Sequence, residues 1–217
     1  MGFLGKLEEI RARARQQIED GAVTKDYSLD RDQAVGVLNE ALATEIVCVL
    51  RYQFHYFMAT GVHSPAIADE FREHAAEEQE HAGRIAERIK QLGGKPEMNP
   101  SSVAKVSHTE YKEGVSLVDM IREDLIAERI VIETYREMVR YFGQKDPVSR
   151  RLMEDILAKE EEHADELADL LFAVEPESGE ESRRLYFKDE IPGESDAGQP
   201  VKTAATVKQS AKKAARR

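Results

Sequence analysis

Glu45, Tyr52, Glu78 and His81 recur in the same order, at nearly the same spacing, as Glu128, Tyr135, Glu160 and His163. In each set the lone Glu has a Tyr seven positions on, two helical turns away and therefore on the same face. The Glu-x-x-His pairs at 78–81 and 160–163 place a carboxylate and an imidazole at i and i+3, so both project from one side of a helix toward a shared ion. Four carboxylates and two imidazoles facing inward are the donor set of a carboxylate-bridged di-iron or di-manganese centre in a four-helix bundle. One Glu-x-x-His in a chain that is 34% charged would carry little weight. Two, each with a matched Glu and Tyr, point to a duplicated site.

The spacing also fixes the elements that must hold these residues. Glu45 to Glu78 spans 33 positions and Glu128 to Glu160 spans 32, each enough for two long antiparallel helices and a short turn. The 50 positions from Glu78 to Glu128 leave room for a long crossover. Caps and breakers divide the chain accordingly. The first bundle helix is expected over about 30–60, with Asp30 at its cap and Gly61 past its end. Ser64-Pro65 opens the second and Gly93-Gly94 closes it. Residues 93–113, with Pro96 and Pro100, read as the crossover. Ser116 with Asp119 three later opens the third helix, which runs to Gly143. Asp146-Pro147 opens the fourth, which stops before Pro176. Residues 3–20 carry Phe3, Leu4, Leu7, Ile10, Ala14 and Ile18 at helical spacing, with Arg11, Arg13 and Arg15 between, and predict a separate amphipathic helix. The organisation expected is an N-terminal helix over 1–22, a four-helix bundle over 28–175, and a flexible linker with a basic tail over 176–217.

On the first bundle helix Leu38, Leu42, Glu45, Val49 and Tyr52 form one stripe, so Glu45 interrupts a buried row. Four carboxylates brought together in a low-dielectric interior repel one another unless cations compensate them. Glu161 and Glu162 fall outside the i, i+3 spacing to His163 and read as solvated, and Glu77 and Glu80 are the corresponding decoys beside Glu78. Tyr52 and Tyr135 are the candidate catalytic side chains, phenols that orient bridging carboxylates or relay an electron; the plainer reading is that they are core tyrosines.

Composition agrees. The chain has 217 residues, 41% hydrophobic and 6% aromatic with no Trp, which suits a helical bundle. A single cysteine, Cys48, within the apolar run 46–50, excludes an internal disulfide framework. No stretch reads as a bilayer span and the N-terminus lacks a signal-peptide core, so a soluble, cytoplasmic protein without a membrane partner is expected.

Over about residues 30–174 the motifs resemble the ferritin-like superfamily, and within it bacterioferritins and related Dps-like proteins. Leu38-Asn39-Glu40 through Glu45, Tyr52 and His55 looks like the bacterioferritin first helix, and Glu78-Gln79-Glu80-His81 like its second-helix motif. Residues 125–128, ending in Glu128, look like the third, and residues 156–163, ending Glu160-Glu161-Glu162-His163, like the fourth. The resemblance implies that Glu45, Glu78, His81, Glu128, Glu160 and His163 are metal ligands of a ferroxidase centre, with Glu78 and Glu160 bridging. It implies oxidation of Fe(II) to Fe(III) by O2 or H2O2 at an intrasubunit di-iron site and storage in a homo-oligomeric cage of 12 or 24 subunits. Manganese suits the same donors. Bacterioferritins take haem through a Met directly after the second-helix Glu; Gln79 stands there, so haem is not expected. A short fifth helix is also not evident after Pro176, where only Leu185-Tyr186-Phe187 offers an apolar anchor, and this favours the smaller, Dps-like cage.

Residues 197–217 carry six Lys and Arg and no acid. Subtracting that +6 from the net charge of −11 leaves −17 on residues 1–196. An acidic body suits an iron container, and a basic Ala-Lys arm resembles the tails by which some Dps proteins grip DNA phosphate. Other readings are a manganese catalase or peroxidase on the same bundle, a non-enzymatic nucleoid protein acting through the tail, or a metal-free helical protein. Without Cys pairs, a rubrerythrin-like peroxidase is disfavoured.

Overall fold

The computed structural model describes residues 6–61 and 64–175, and within them all regular structure is helical. The α-helices are α1 (Leu7–Arg13), α2 (Arg31–Met58), α3 (Ser64–Gln91), α4 (Pro100–Val106), α5 (Leu117–Phe142) and α6 (Pro147–Val174). The four long ones form the bundle. α2 packs along α3 and α5 along α6, and contacts of α2 with α5 and of α3 with α6 close the core.

α2, α5 and α6 begin where their caps place them. The Asp30 carboxylate accepts from the Gln33 amide at 2.9 Å. Ser116 caps α5, its hydroxyl accepting from the Asp119 amide at 3.2 Å and lying 3.0 Å from the Asp119 carboxylate, to which it donates. Asp146 does more than cap α6. It accepts from the Ser149 amide and hydroxyl, from both Nη2 contacts of Arg88 near the end of α3, and from the Tyr27 phenol, so one buried carboxylate ties three parts of the chain together. After α3, Gly93 takes φ +74°, which side-chain-bearing residues rarely adopt, and Gly94 lies so close to α2 that an added Cβ would stand 2.6 Å from both methyls of Val35.

Three expectations need correction. The N-terminal helix is short: α1 ends at Arg13, Gln17 turns left-handed at φ 52°, and a single 3-10 turn follows at Ile18–Asp20. None of its residues is buried, and without an apolar partner so few turns cannot propagate. Phe3 and Leu4 lie outside the described residues, as do Leu185-Tyr186-Phe187 and the basic tail. Second, the crossover holds a helix of its own, α4, capped by Asn99 with Pro100 in its first turn. Its Val103 packs on Ala43 and Val47 of α2. Third, α2 contains an 18-residue window of mean hydropathy 1.4, so by length and composition it also suits a bilayer. That apolarity is explained by burial, because α2 faces α3, α4 and α5 at once and thirteen of its residues are buried.

The crossover is fastened to the bundle by a charged clamp. Arg51 of α2 pairs with Asp124 of α5 at 2.7 Å and donates to the Glu110 carbonyl at 3.1 Å. His55, one turn on, meets the other Asp124 oxygen at 2.7 Å and the Glu113 carbonyl at 3.1 Å. All three side chains are fully or almost fully buried.

Candidate metal centre

Glu45 comes from α2, Glu78 and His81 from α3, Glu128 from α5, and Glu160 and His163 from α6, each on the inward stripe of its helix. None is more than 4% exposed. The structure brings all six together, as two groups that share two members. Glu45, Glu78, His81 and Glu160 form one, and Glu78, Glu128, Glu160 and His163 the other. Glu160 points Oε1 at His81 Nδ1, 3.0 Å away, and Oε2 at His163 Nδ1, 3.4 Å away. Glu78 does the same with Oε2 at 3.6 Å and Oε1 at 3.3 Å. Each of these carboxylates thus spans both halves, one oxygen to each, which is the geometry a bridging carboxylate needs. Glu45 stands on the His81 side, with Oε2 3.3 Å from Nδ1.

The two tyrosines behave differently from the expectation. Neither donates to Glu78 or Glu160. Tyr52 donates to Glu128, and Tyr135 donates to Glu45, so each phenol crosses to the unshared Glu of the other half. The pairings 45 with 135 and 52 with 128 require α2 and α5 to run antiparallel. Seven residues carry each Tyr roughly 10.5 Å along its own helix, and antiparallel packing brings it level with the opposite Glu.

Glu77, expected to be solvated, takes part in the site. Its Oε2 lies 2.6 Å from His163 Nε2, and its Oε1 lies 3.2 Å from Lys159 Nζ. An Nε2–H donated to Glu77 fixes the tautomer that leaves His163 Nδ1 bare toward the centre. His74, which sequence reasoning did not single out, stacks on His163 with ring centroids 4.1 Å apart. The signal for it was present: His74 precedes His81 by seven positions, the same two-turn rule that linked each Glu to its Tyr. Glu80, Glu161 and Glu162 are exposed.

The electrostatics are those of carboxylates and imidazoles crowded into a buried, low-dielectric site. Burial, reinforced by Glu78, pushes the Glu45 carboxyl up to about 8. Burial with Glu78 and Glu160 nearby drives Glu128 well above the usual range. Burial opposes charge on the imidazoles, but the close approach of Glu160 and the neighbouring carboxylates overcomes it and raises both His81 and His163 to about 12. Burial would raise Glu160 too, yet the two imidazolium partners outweigh it and hold it low. Protons do not satisfy the geometry. Glu45 Oε2, Glu78 Oε1, His81 Nδ1, Glu128 Oε2, both Glu160 oxygens and His163 Nδ1 are buried without a hydrogen-bond partner. Every one of the six therefore keeps a donor atom free. Seven such atoms, on four carboxylates and two imidazoles, fit a pair of first-row divalent ions such as iron or manganese.

A family model described as the ferritin-like domain matches residues 35–175. The nutrient stress-induced DNA-binding protein of Nostoc sp. is 34% identical over 158 residues, covering 71% of this chain and 85% of that protein. The bacterioferritin of Rhodobacter capsulatus is 29% identical over 134 residues, covering 61% and 79%. Among solved structures, a dodecameric thioferritin, the bacterioferritin-related protein from Bacteroides fragilis, aligns with a TM-score of 0.65 at 28% identity, over 75% of this chain and 94% of that one.

Proposed function

This chain belongs to the ferritin-like family, and on that premise we propose that it is a cytoplasmic iron-storage and detoxification protein that oxidises Fe(II) to Fe(III) with O2 or H2O2 within each subunit. The observation that carries this reading is the shared pair Glu78 and Glu160, each offering one oxygen to either half of a buried six-residue cluster whose donor atoms lack partners. Ferrous ions held there supply the electrons that reduce the oxidant. The protein's part is positioning. Glu45 and Glu128 each bind from one side only, and the phenols of Tyr135 and Tyr52 hold them in place across the bundle. Glu77 keeps His163 in the tautomer that presents Nδ1. Four carboxylates offset the charge of two divalent ions, and their burial keeps water from competing. In this reading Tyr52 and Tyr135 also relay an electron, which their hydrogen bonds to the proposed ligands Glu128 and Glu45 support.

Storage requires assembly. A homo-oligomeric cage is supported by the dodecameric relative from Bacteroides fragilis, and twelve subunits is the size we favour. DNA binding through residues 197–217 is a second element of the proposal, supported by the +6 charge of that segment and by the DNA-binding name of the Nostoc relative.

The test is rapid-mixing oxidation of ferrous ions by O2 and by H2O2, comparing the native chain with a Glu78→Ala, Glu160→Ala double variant. Fast oxidation followed by growth of a ferric core in the native protein, both lost in the variant, is the expected result. Equal rates in the two proteins would overturn the ferroxidase reading. Rapid peroxide turnover without core growth would transfer it to a manganese catalase or peroxidase.

A further inference from the structure

Outside the six-residue cluster, one other group of side chains among the described residues has the composition and spacing of a metal site. Glu70 and His74 lie one turn apart on α3, and Glu166 faces them from α6, with one potential donor atom from each within 4.8 Å of the others. His74 Nε2 is 3.0 Å from Glu166 Oε2 and 3.5 Å from Glu70 Oε1. The imidazole is 1% exposed, and Nε2 is the nitrogen it turns toward both carboxylates. We infer that Glu70, His74 and Glu166 form a third divalent-cation site, distinct from the central pair, for a first-row ion such as Fe2+, Mn2+ or Zn2+.

The chemistry argues for a cation over a purely structural contact. A histidine buried for packing needs one acceptor, and Glu166 alone would serve. Here a second carboxylate is turned on the same nitrogen, so two negative charges face one ring nitrogen that can hold a single proton. A divalent ion between the three balances that charge and has the mixed nitrogen and oxygen donors that first-row ions accept. The ring cannot easily turn away, because it is stacked on His163 at 4.1 Å and meets Tyr52 edge-on at 5.2 Å. Glu70 and Glu166 are 31% and 43% exposed, so this site opens to solvent where the central one does not, and water can complete its coordination. It lies one stacked ring from the centre, a position from which a cation could be handed inward. The inference concerns binding and does not depend on iron being oxidised at the central cluster.

Equilibrium dialysis of the full-length metal-free protein against Zn2+ tests it, beside two variants. Glu70→Gln with Glu166→Gln alters only part-exposed side chains and should leave the helices intact, checked by circular dichroism. It is expected to bind one ion fewer per chain than the native protein. Glu45→Gln with Glu128→Gln weakens the central cluster and is expected to keep the ion at the triad, so loss of the central reading and loss of this one are separable. Anomalous diffraction from Mn2+-soaked crystals should place a peak among the three side chains. Unchanged stoichiometry in the Glu70, Glu166 variant, or no peak at the triad when the central cluster is filled, would overturn the inference.

Discussion

Glu77 is where the two halves of the centre differ most. The position equivalent to it, one before the Glu of the second Glu-x-x-His, is Lys159, and the two pair with each other. His163 therefore has an orienting carboxylate on its outer nitrogen, while no hydrogen bond of this kind is described for His81. Glu77→Gln is expected to weaken one of the two central ions by about 10–100-fold and leave the other nearly unchanged. Calorimetric titration with Mn2+ would resolve the two, with exposed Glu80→Gln as the control. Protons set a second residue-level expectation. Glu45, raised to about 8, and His81 and His163, raised to about 12, hold protons in the folded metal-free chain that the unfolded chain releases near 4.5 and 6.5. Their contribution to stability is complete below those lower values and is lost as pH rises toward the folded ones. Cations face less proton competition in the same direction. The rise in Tm on adding Mn2+ should therefore grow from about pH 6 to about pH 8.5, and a gain that stays flat would contradict these assignments. The donor residues were legible because ligands must recur at helical spacing. Glu77 was not, because its role depends on the partner helix bringing His163 beside it.

At the scale of elements, the long helices could be placed to within a residue or two because Asp30, Ser116 and Asp146 are caps that act locally. α4 was overlooked although Asn99-Pro100 carries the same cap-then-Pro signature as Asp146-Pro147. The charged clamp was invisible to any local pattern, since Arg51, His55 and Asp124 meet only through the packing of α2 on α5. Asp124→Ala leaves Arg51 buried without its counter-charge and is expected to cost about 3–5 kcal/mol, measured by denaturant unfolding of the metal-free protein. Gly94→Ala drives a methyl into Val35 and should cost about 1–3 kcal/mol. Shortening the opposing residue with Val35→Ala should recover part of that loss, whereas a purely conformational effect at Gly94 would show no recovery.

For the whole molecule, the division of charge is the feature that packing does not explain. Residues 1–196 carry −17 and residues 197–217 carry +6. Removing residues 197–217 is expected to abolish binding to duplex DNA while leaving ferrous oxidation intact. With six cations engaged, log affinity of the full chain should fall against log salt with a slope of roughly −5. Retained binding after truncation would assign it to the body. Fold class was legible from the repeat alone, because only a bundle brings two Glu-x-x-His helices face to face. The pairing of each Tyr with the opposite Glu was not, because it depends on antiparallel contact between α2 and α5.

The central claim is that Glu78 and Glu160 are shared between two ions. It is tested most directly by anomalous diffraction at the iron edge from crystals loaded with ferrous ions in the absence of oxygen. Two central peaks per chain are expected, one among Glu45, Glu78, His81 and Glu160 and one among Glu78, Glu128, Glu160 and His163, each in contact with both shared carboxylates. A single central peak, or iron on surface carboxylates with the buried cluster empty, would contradict it.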